Sequence, residues 1–217
     1  MKITILYDNQ IFKKGLGLKS DWGFSSLIQN KKDTILFDCG AKGDILLNNM
    51  KKLNLNPLEI NKIVISHEHW DHNGGLKSLI NCNEDVEIFR LKKDFNEGSK
   101  NISIKESIKI SNNIYSTGKL SGIPVDEQSL ILKEKSGGYV LTGCSHSGVD
   151  QILKQAQKFQ KISGLIGGFH GFNKLSILKD LNYICPCHCT KHKKEILKKY
   201  PTKSSRCGVG KIIDLEK

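Results

Sequence analysis

Four metal-competent side chains, His67, His69, Asp71 and His72, fall within six positions of the stretch Ile65-Ser66-His67-Glu68-His69-Trp70-Asp71-His72-Asn73-Gly74-Gly75. Residues 62–65, Lys-Ile-Val-Ile, form a short β-branched run that reads as a buried strand, and Gly74-Gly75-Leu76 opens a helix. The cluster therefore occupies a strand-to-helix turn, the place where α/β proteins build sites. His67 and His69 are two apart and point the same way in extended chain, whereas Asp71 and His72 follow where the chain bends toward the helix. One stretch can thus serve two neighbouring metal positions. A histidine-rich surface turn is the bland alternative, but three of the chain's seven histidines in six residues point to a metal, because imidazole is the commonest metal ligand.

The same strand-then-turn grammar recurs along the chain. Residues 2–7, 24–29 and 34–37 read as strands, the last leading into Asp38-Cys39-Gly40. Ile45, Leu46, Met50 and Leu53 recur at helical spacing, which predicts a helix over 44–53. A helix at 76–81 and a strand at 85–91 follow the metal turn, and a polar, loosely alternating region runs to residue 116. Residues 130–133 and 138–142 read as a hairpin that runs into Gly143-Cys144-Ser145-His146, and a helix is expected over 149–161. A strand at 162–167 delivers His170, and one at 181–185 delivers His188. Residues 191–200 read as a basic helix and 211–215 as a final strand.

His67-x-His69-x-Asp71-His72 after an apolar strand resembles the signature of the metallo-β-lactamase fold superfamily. Asp21-Trp22-Gly23-Phe24-Ser25-Ser26, Ile35-Leu36-Phe37-Asp38-Cys39-Gly40, Gly143-Cys144-Ser145-His146, Gly167-Gly168-Phe169-His170 and Pro186-Cys187-His188-Cys189-Thr190 extend the likeness. They resemble a subfamily of dihydropterin ribofuranosyl-aminobenzene phosphate synthases and their bacterial relatives. The resemblance implies an α/β fold, a four-layer αββα sandwich, and a single domain over 1–217. It also implies two divalent metal ions, zinc first, with iron or manganese also compatible with imidazole and carboxylate donors. His67, His69 and His146 are the expected ligands of one ion, and Asp71, His72 and His188 of the other. Asp71 and His170 are the expected catalytic residues, and Asp38 is expected to support a ligand imidazole from behind.

One departure stands out. Many dinuclear members place an aspartate after a glycine between the third histidine and the last, and here Gly143 is followed by Cys144, with no Gly-Asp pair between His146 and His188. Cys144 is a candidate thiolate ligand in its stead, with a buried structural cysteine as the alternative. In Cys185-Pro186-Cys187-His188-Cys189 an extended chain would send the three cysteines to one side and His188 to the other. That assigns these cysteines to packing or redox chemistry rather than to a zinc ribbon.

Composition narrows the function. The 217 residues, 38% hydrophobic, can bury one substantial core. A net charge of +12 suggests a polyanionic partner, but the lysines come as scattered pairs (Lys13-Lys14, Lys31-Lys32, Lys51-Lys52, Lys92-Lys93) without interleaved aromatics, and only Arg90 and Arg206 are arginines. Solvated surface and a small anionic substrate fit that pattern better than nucleic acid. An odd cysteine count, an N-terminus that enters a strand at once, and no apolar run near ~20 residues point to the cytoplasm and away from the membrane. The expected function is a metal-dependent hydrolase using a metal-bound hydroxide on an ester, phosphoester or related bond. Its rivals are a synthase-like transferase joining a pterin to a phosphoribosyl-aminobenzene unit, and a sensor that binds metal or ligand without turnover.

Overall fold

In the computed structural model, which describes residues 1–92 and 100–216, the chain resolves into two compact units. Lys93, half of the pair Lys92-Lys93, lies outside the described residues.

The first unit comprises Met1–Ile104 and Gly208–Lys217. Its strands are β1 (Lys2–Tyr7), β2 (Ser25–Gln29), β3 (Thr34–Phe37), β4 (Lys62–Val64), β5 (Glu87–Arg90) and β6 (Lys100–Ser103), with a last strand at Ile212–Asp214. Among the described residues they form a seven-stranded sheet in which that last strand is one edge, followed by β1 to β6 in order. β1, β2 and β3 pair antiparallel, whereas β3, β4, β5 and β6 run parallel. Five of the six residues of β1 are buried in an unbroken run, the mark of a strand covered on both faces. Helix α1 (Gly43–Lys52) buries Ile45, Leu46, Asn49 and Met50 along one stripe and places Asp44 in its first turn and Lys51 and Lys52 in its last, which suits its dipole. The histidine-rich turn at 67–72 itself winds into a short helix, α2 (Trp70–Asn73), and Leu76 begins α3 (Leu76–Cys82).

The second unit, Lys105–Cys207, carries β7 (Lys109–Ser111), β8 (Ile114–Ser116), β9 (Leu130–Leu132), β10 (Gly138–Thr142), β11 (Ile162–Gly168) and β12 (Tyr183–Cys187) in one sheet that runs from β12 at one edge back through β11 to β7. β9 and β10 are the expected hairpin, and β10, β11 and β12 run parallel. Helix α4 (Val149–Ala156) turns Val149, Ile152, Leu153 and Ala156 inward and ends five residues before the expected 161. The chain leaves the helix through three-residue turns, Lys158 N–H to Gln155 and Phe159 N–H to Ala156, because the Phe159 ring packs on Tyr115 at 5.4 Å. Helix α5 (Lys193–Lys199) follows.

Two expectations need correction. β12 lies two residues later than the reading 181–185 and runs straight up to His188. The 185–189 alternation also breaks, because His188 adopts a left-handed φ of 42° and turns Cys189 away from the strand. Among the described residues, no helix is long and apolar enough to cross a membrane.

Candidate metal centre

β3 and β4 are parallel neighbours, so their C-terminal ends leave the sheet on one edge and release Asp38 beside Ser66 and His67. Asp38 is fully buried with φ 58°, a left-handed conformation that aspartate tolerates better than most residues. Its Oδ1 accepts the Ser66 N–H at 2.7 Å, and its Oδ2 accepts the Ser66 hydroxyl at 2.8 Å and lies 2.7 Å from His72 Nδ1. The Ser66 hydroxyl oxygen is in turn 2.9 Å from His67 Nδ1.

This network assigns protons. An ionised carboxylate only accepts, so the Ser66 hydroxyl donates to Asp38 and must accept from His67 Nδ1–H, and His72 Nδ1 must also carry its proton. One buried carboxylate thereby places a proton on Nδ1 of both imidazoles, which makes Nε2 the nitrogen that would ligate. His67 Nε2 lies 3.1 Å from His69 Nδ1. Two nitrogens that far apart, each about 2.0–2.1 Å from a shared ion, would subtend about 100°, a normal coordination angle. Asp71 Oδ2 accepts the Trp22 indole N–H at 2.8 Å and stands 3.9 Å from His72 Nε2. The residues present therefore fit a metal ion, with two close donor pairs, His67 with His69 and Asp71 with His72, of which His67, His72 and Asp71 are held from behind.

Glu68, between the two histidines, points the other way. It pairs with Arg90, whose Nε donates to Oε1 at 3.0 Å and whose Nη2 contacts Oε2, and Asn73 adds a bond at 3.1 Å. Arg90 is only 1% exposed, so one of the chain's two arginines is a buried strut rather than part of a solvated surface. Gly75 is required by close approach. A Cβ there would lie 2.3 Å from the Cys39 carbonyl oxygen.

In the second unit, three neighbouring parallel strands end in the remaining candidates: β10 in Cys144 and His146, β11 in His170, and β12 in His188. Cross-bonds hold these three loops together. Gly168 N–H donates to Gly143 at 3.1 Å and the Ser145 hydroxyl to Gly168 at 2.7 Å, while Phe169 N–H donates to Thr190 Oγ1 at 2.9 Å and Lys191 N–H to His170 at 2.8 Å. Ser145, His170 and His188 all take left-handed backbone, φ 64°, 42° and 42°. Such strain at three adjacent loop ends is characteristic of functional sites.

His146 and His170, ring centroids 5.0 Å apart, line a cavity of about 380 Å³ together with Ser145, Ser147, Gln151 and Phe172. His188 is buried and lies outside that lining. Cys144 meets Cys189, sulfur to sulfur, at 3.2 Å. Behind the His146 loop, Glu127 accepts the Ser147 N–H at 2.9 Å and hydroxyl at 2.7 Å. Burial pushes its carboxyl above the usual range, and these bonds pull it partly back.

Sequence reasoning gave no role to Ser66, Trp22 or Glu127. Ser66 and Trp22 stood inside the quoted motifs, and the Ser66 hydroxyl next to His67 was the available signal, whereas Trp22 lies far in sequence from Asp71. Glu127 carried none.

Residues 23–157 match the model of the metallo-beta-lactamase superfamily, and the chain belongs to that superfamily. A solved structure described as Tm1679, a metal-dependent hydrolase of the beta-lactamase superfamily, is 26% identical and superposes with a TM-score of 0.83, covering 100% of both chains. An uncharacterised protein of Methanocaldococcus jannaschii is 30% identical over 87% of this chain and 90% of its own length. The 7,8-dihydropterin-6-methyl-4-(beta-D-ribofuranosyl)-aminobenzene-5'-phosphate synthase of the same organism is 27% identical over 89% of this chain and 90% of its own length.

Proposed function

We propose that this protein is a metal-dependent hydrolase acting on an ester, phosphoester or related bond of a small anionic substrate. The observation that carries the reading is the Asp38–Ser66 network, which presents His67 and His72 as ligands beside His69 and Asp71. The proposed ligands are His67, His69, Asp71, His72, His146 and His188, holding two divalent ions, with zinc first. Bound divalent ions supply Lewis acidity, lower the pKa of water and offset negative charge on a reacting oxygen.

The chain's own residues do the rest. Asp38 and Ser66 orient two imidazoles, and Trp22 holds Asp71 in place. His170, exposed on the wall of the 380 Å³ cavity, can pass a proton between a leaving group and solvent. That volume suits a small molecule. The net charge of +12 favours an anion.

The test is turnover of a panel of nitrophenyl esters, phosphomonoesters and phosphodiesters by metal-loaded protein. Hydrolysis of at least one class, lost with chelator and in His67→Ala, is expected. No hydrolysis of any class, or activity untouched by His67→Ala, refutes the reading.

A second reading rests on the synthase relative, similar over nearly the whole chain. Under it the same metals assist coupling of a dihydropterin to a ribofuranosyl-aminobenzene phosphate. Mass spectrometry of that mixture separates the two, because only the synthase yields a coupled product.

A further inference from the structure

The second unit also carries a group of side chains that the centre above does not use. Cys185 and Cys187, two apart on β12, project from one face of the strand, with their sulfurs 4.0 Å apart. Cys207 joins them from a separate stretch. Residues 203–205 run alongside β12, with Ile184 N–H donating to Lys203 at 2.7 Å and Ser205 N–H to Ile184 at 2.9 Å, and this brings the chain back to the same face. Tyr183 OH and Ser205 Oγ, 2.8 Å apart, brace the two stretches. All three sulfurs lie within 4.8 Å of one another, and the three residues are buried to 0%, 0% and 4% exposure.

From this geometry we infer a second, soft-metal site: Cys185, Cys187 and Cys207 form a three-sulfur site for a closed-shell thiophilic cation, Zn(II) or Cu(I). Three sulfurs about 2.3 Å from a central ion in a trigonal arrangement stand about 4.0 Å apart, the separation found for Cys185 and Cys187. Thiolate donors select these ions over hard cations. Charge balances in either case. Zn²⁺ displacing three thiol protons leaves a complex of net charge −1 and three protons in solvent. Cu⁺ displacing two protons, with the third thiol kept as a neutral donor, also leaves −1. Without a cation the Cys207 thiol stays protonated, because burial pushes it well above the ordinary thiol range and its hydrogen bonds to Cys185 and Cys187 add to that. The ion would pin β12, the strand that delivers His188, to the segment after α5.

The test uses the full chain carrying His67→Ala, His69→Ala and His72→Ala, so that the imidazole ligands of the first unit are silent, titrated anaerobically with Zn(II) in one arm and Cu(I) in the other against a competing chelator. X-ray absorption then counts sulfur neighbours. One equivalent retained in either arm, with three sulfurs at about 2.3 Å, is expected. In Cys207→Ser the sulfur count should drop to two and the affinity fall about a hundredfold or more, since even outer partners of a ligand set are worth roughly ten- to a hundredfold. Cys187→Ser gives the same readout if Cys207→Ser does not fold. Cys82→Ser, at an exposed position, should change nothing. No retention in either arm, or a sulfur shell unaltered by both variants, overturns the inference and leaves the cluster as hydrogen-bonded core packing.

Discussion

Replacing Asp38 with asparagine isolates the part of the site that sets proton positions. Asparagine is nearly isosteric and tolerates the left-handed backbone at φ 58°, so the backbone is not the variable. In the wild type, Oδ2 accepts from the Ser66 hydroxyl and from His72 Nδ1, and Oδ1 from the Ser66 N–H. The amide oxygen can keep the Ser66 N–H bond, but the amide NH₂ then faces two donors. His72 must move its proton to Nε2 to accept, and Ser66 must turn its hydroxyl toward His67. Two hydrogen bonds to a charged acceptor, each worth about 1.5–3 kcal/mol, are lost, and relief from burying a charge offsets part of that. The metal-free variant should be destabilised by about 2–4 kcal/mol, read by urea unfolding. With the His72 tautomer reversed, metal affinity should fall roughly ten- to a hundredfold, read by chelator competition. An affinity within about threefold of wild type, or an unchanged His72 Nδ1 proton in a nitrogen-edited spectrum, would refute the tautomer argument.

Gly75→Ala drives a Cβ to 2.3 Å from the Cys39 carbonyl oxygen, which is backbone and cannot swing aside. It should cost about 1–3 kcal/mol of stability or more by overpacking, whereas Lys77→Ala on the exposed face of α3 should stay within about 0.5 kcal/mol in the same thermal melt. For Glu127, the folded pKa is raised above the unfolded value by burial, so its contribution to stability is full below the unfolded pKa and is lost as pH rises through the raised folded value. Glu127→Gln should therefore flatten the fall in stability across that acidic window, and an unchanged pH–stability curve would contradict it.

The site was legible in the sequence as far as strand ends reveal it. Apolar runs followed closely by histidine put His67, His146, His170 and His188 on turns after strands, with glycine in the turn before His146 and His170. The parallel order of β3 with β4, and of β10 with β11 and β12, explains why those turns emerge together within each unit. What eluded sequence reasoning depends on partners far apart in the chain. Asp38 and Ser66 are 28 residues apart, Trp22 and Asp71 are 49, and Glu68 and Arg90 are 22. Cys207 could not be joined to Cys185 and Cys187 without the return of residues 203–205 along β12. The early end of α4 has the same cause, a tertiary ring contact overriding a local helical pattern.

The central claim, a metal centre using His67 and His69, is tested most directly by elemental analysis of wild type and of His67→Ala/His69→Ala, purified identically without added metal. Comparing the two cancels any ion held by the cysteine cluster. The account predicts that the variant, folded by circular dichroism, carries at least one equivalent of divalent metal per chain less than wild type. Equal metal content in the two proteins would contradict it.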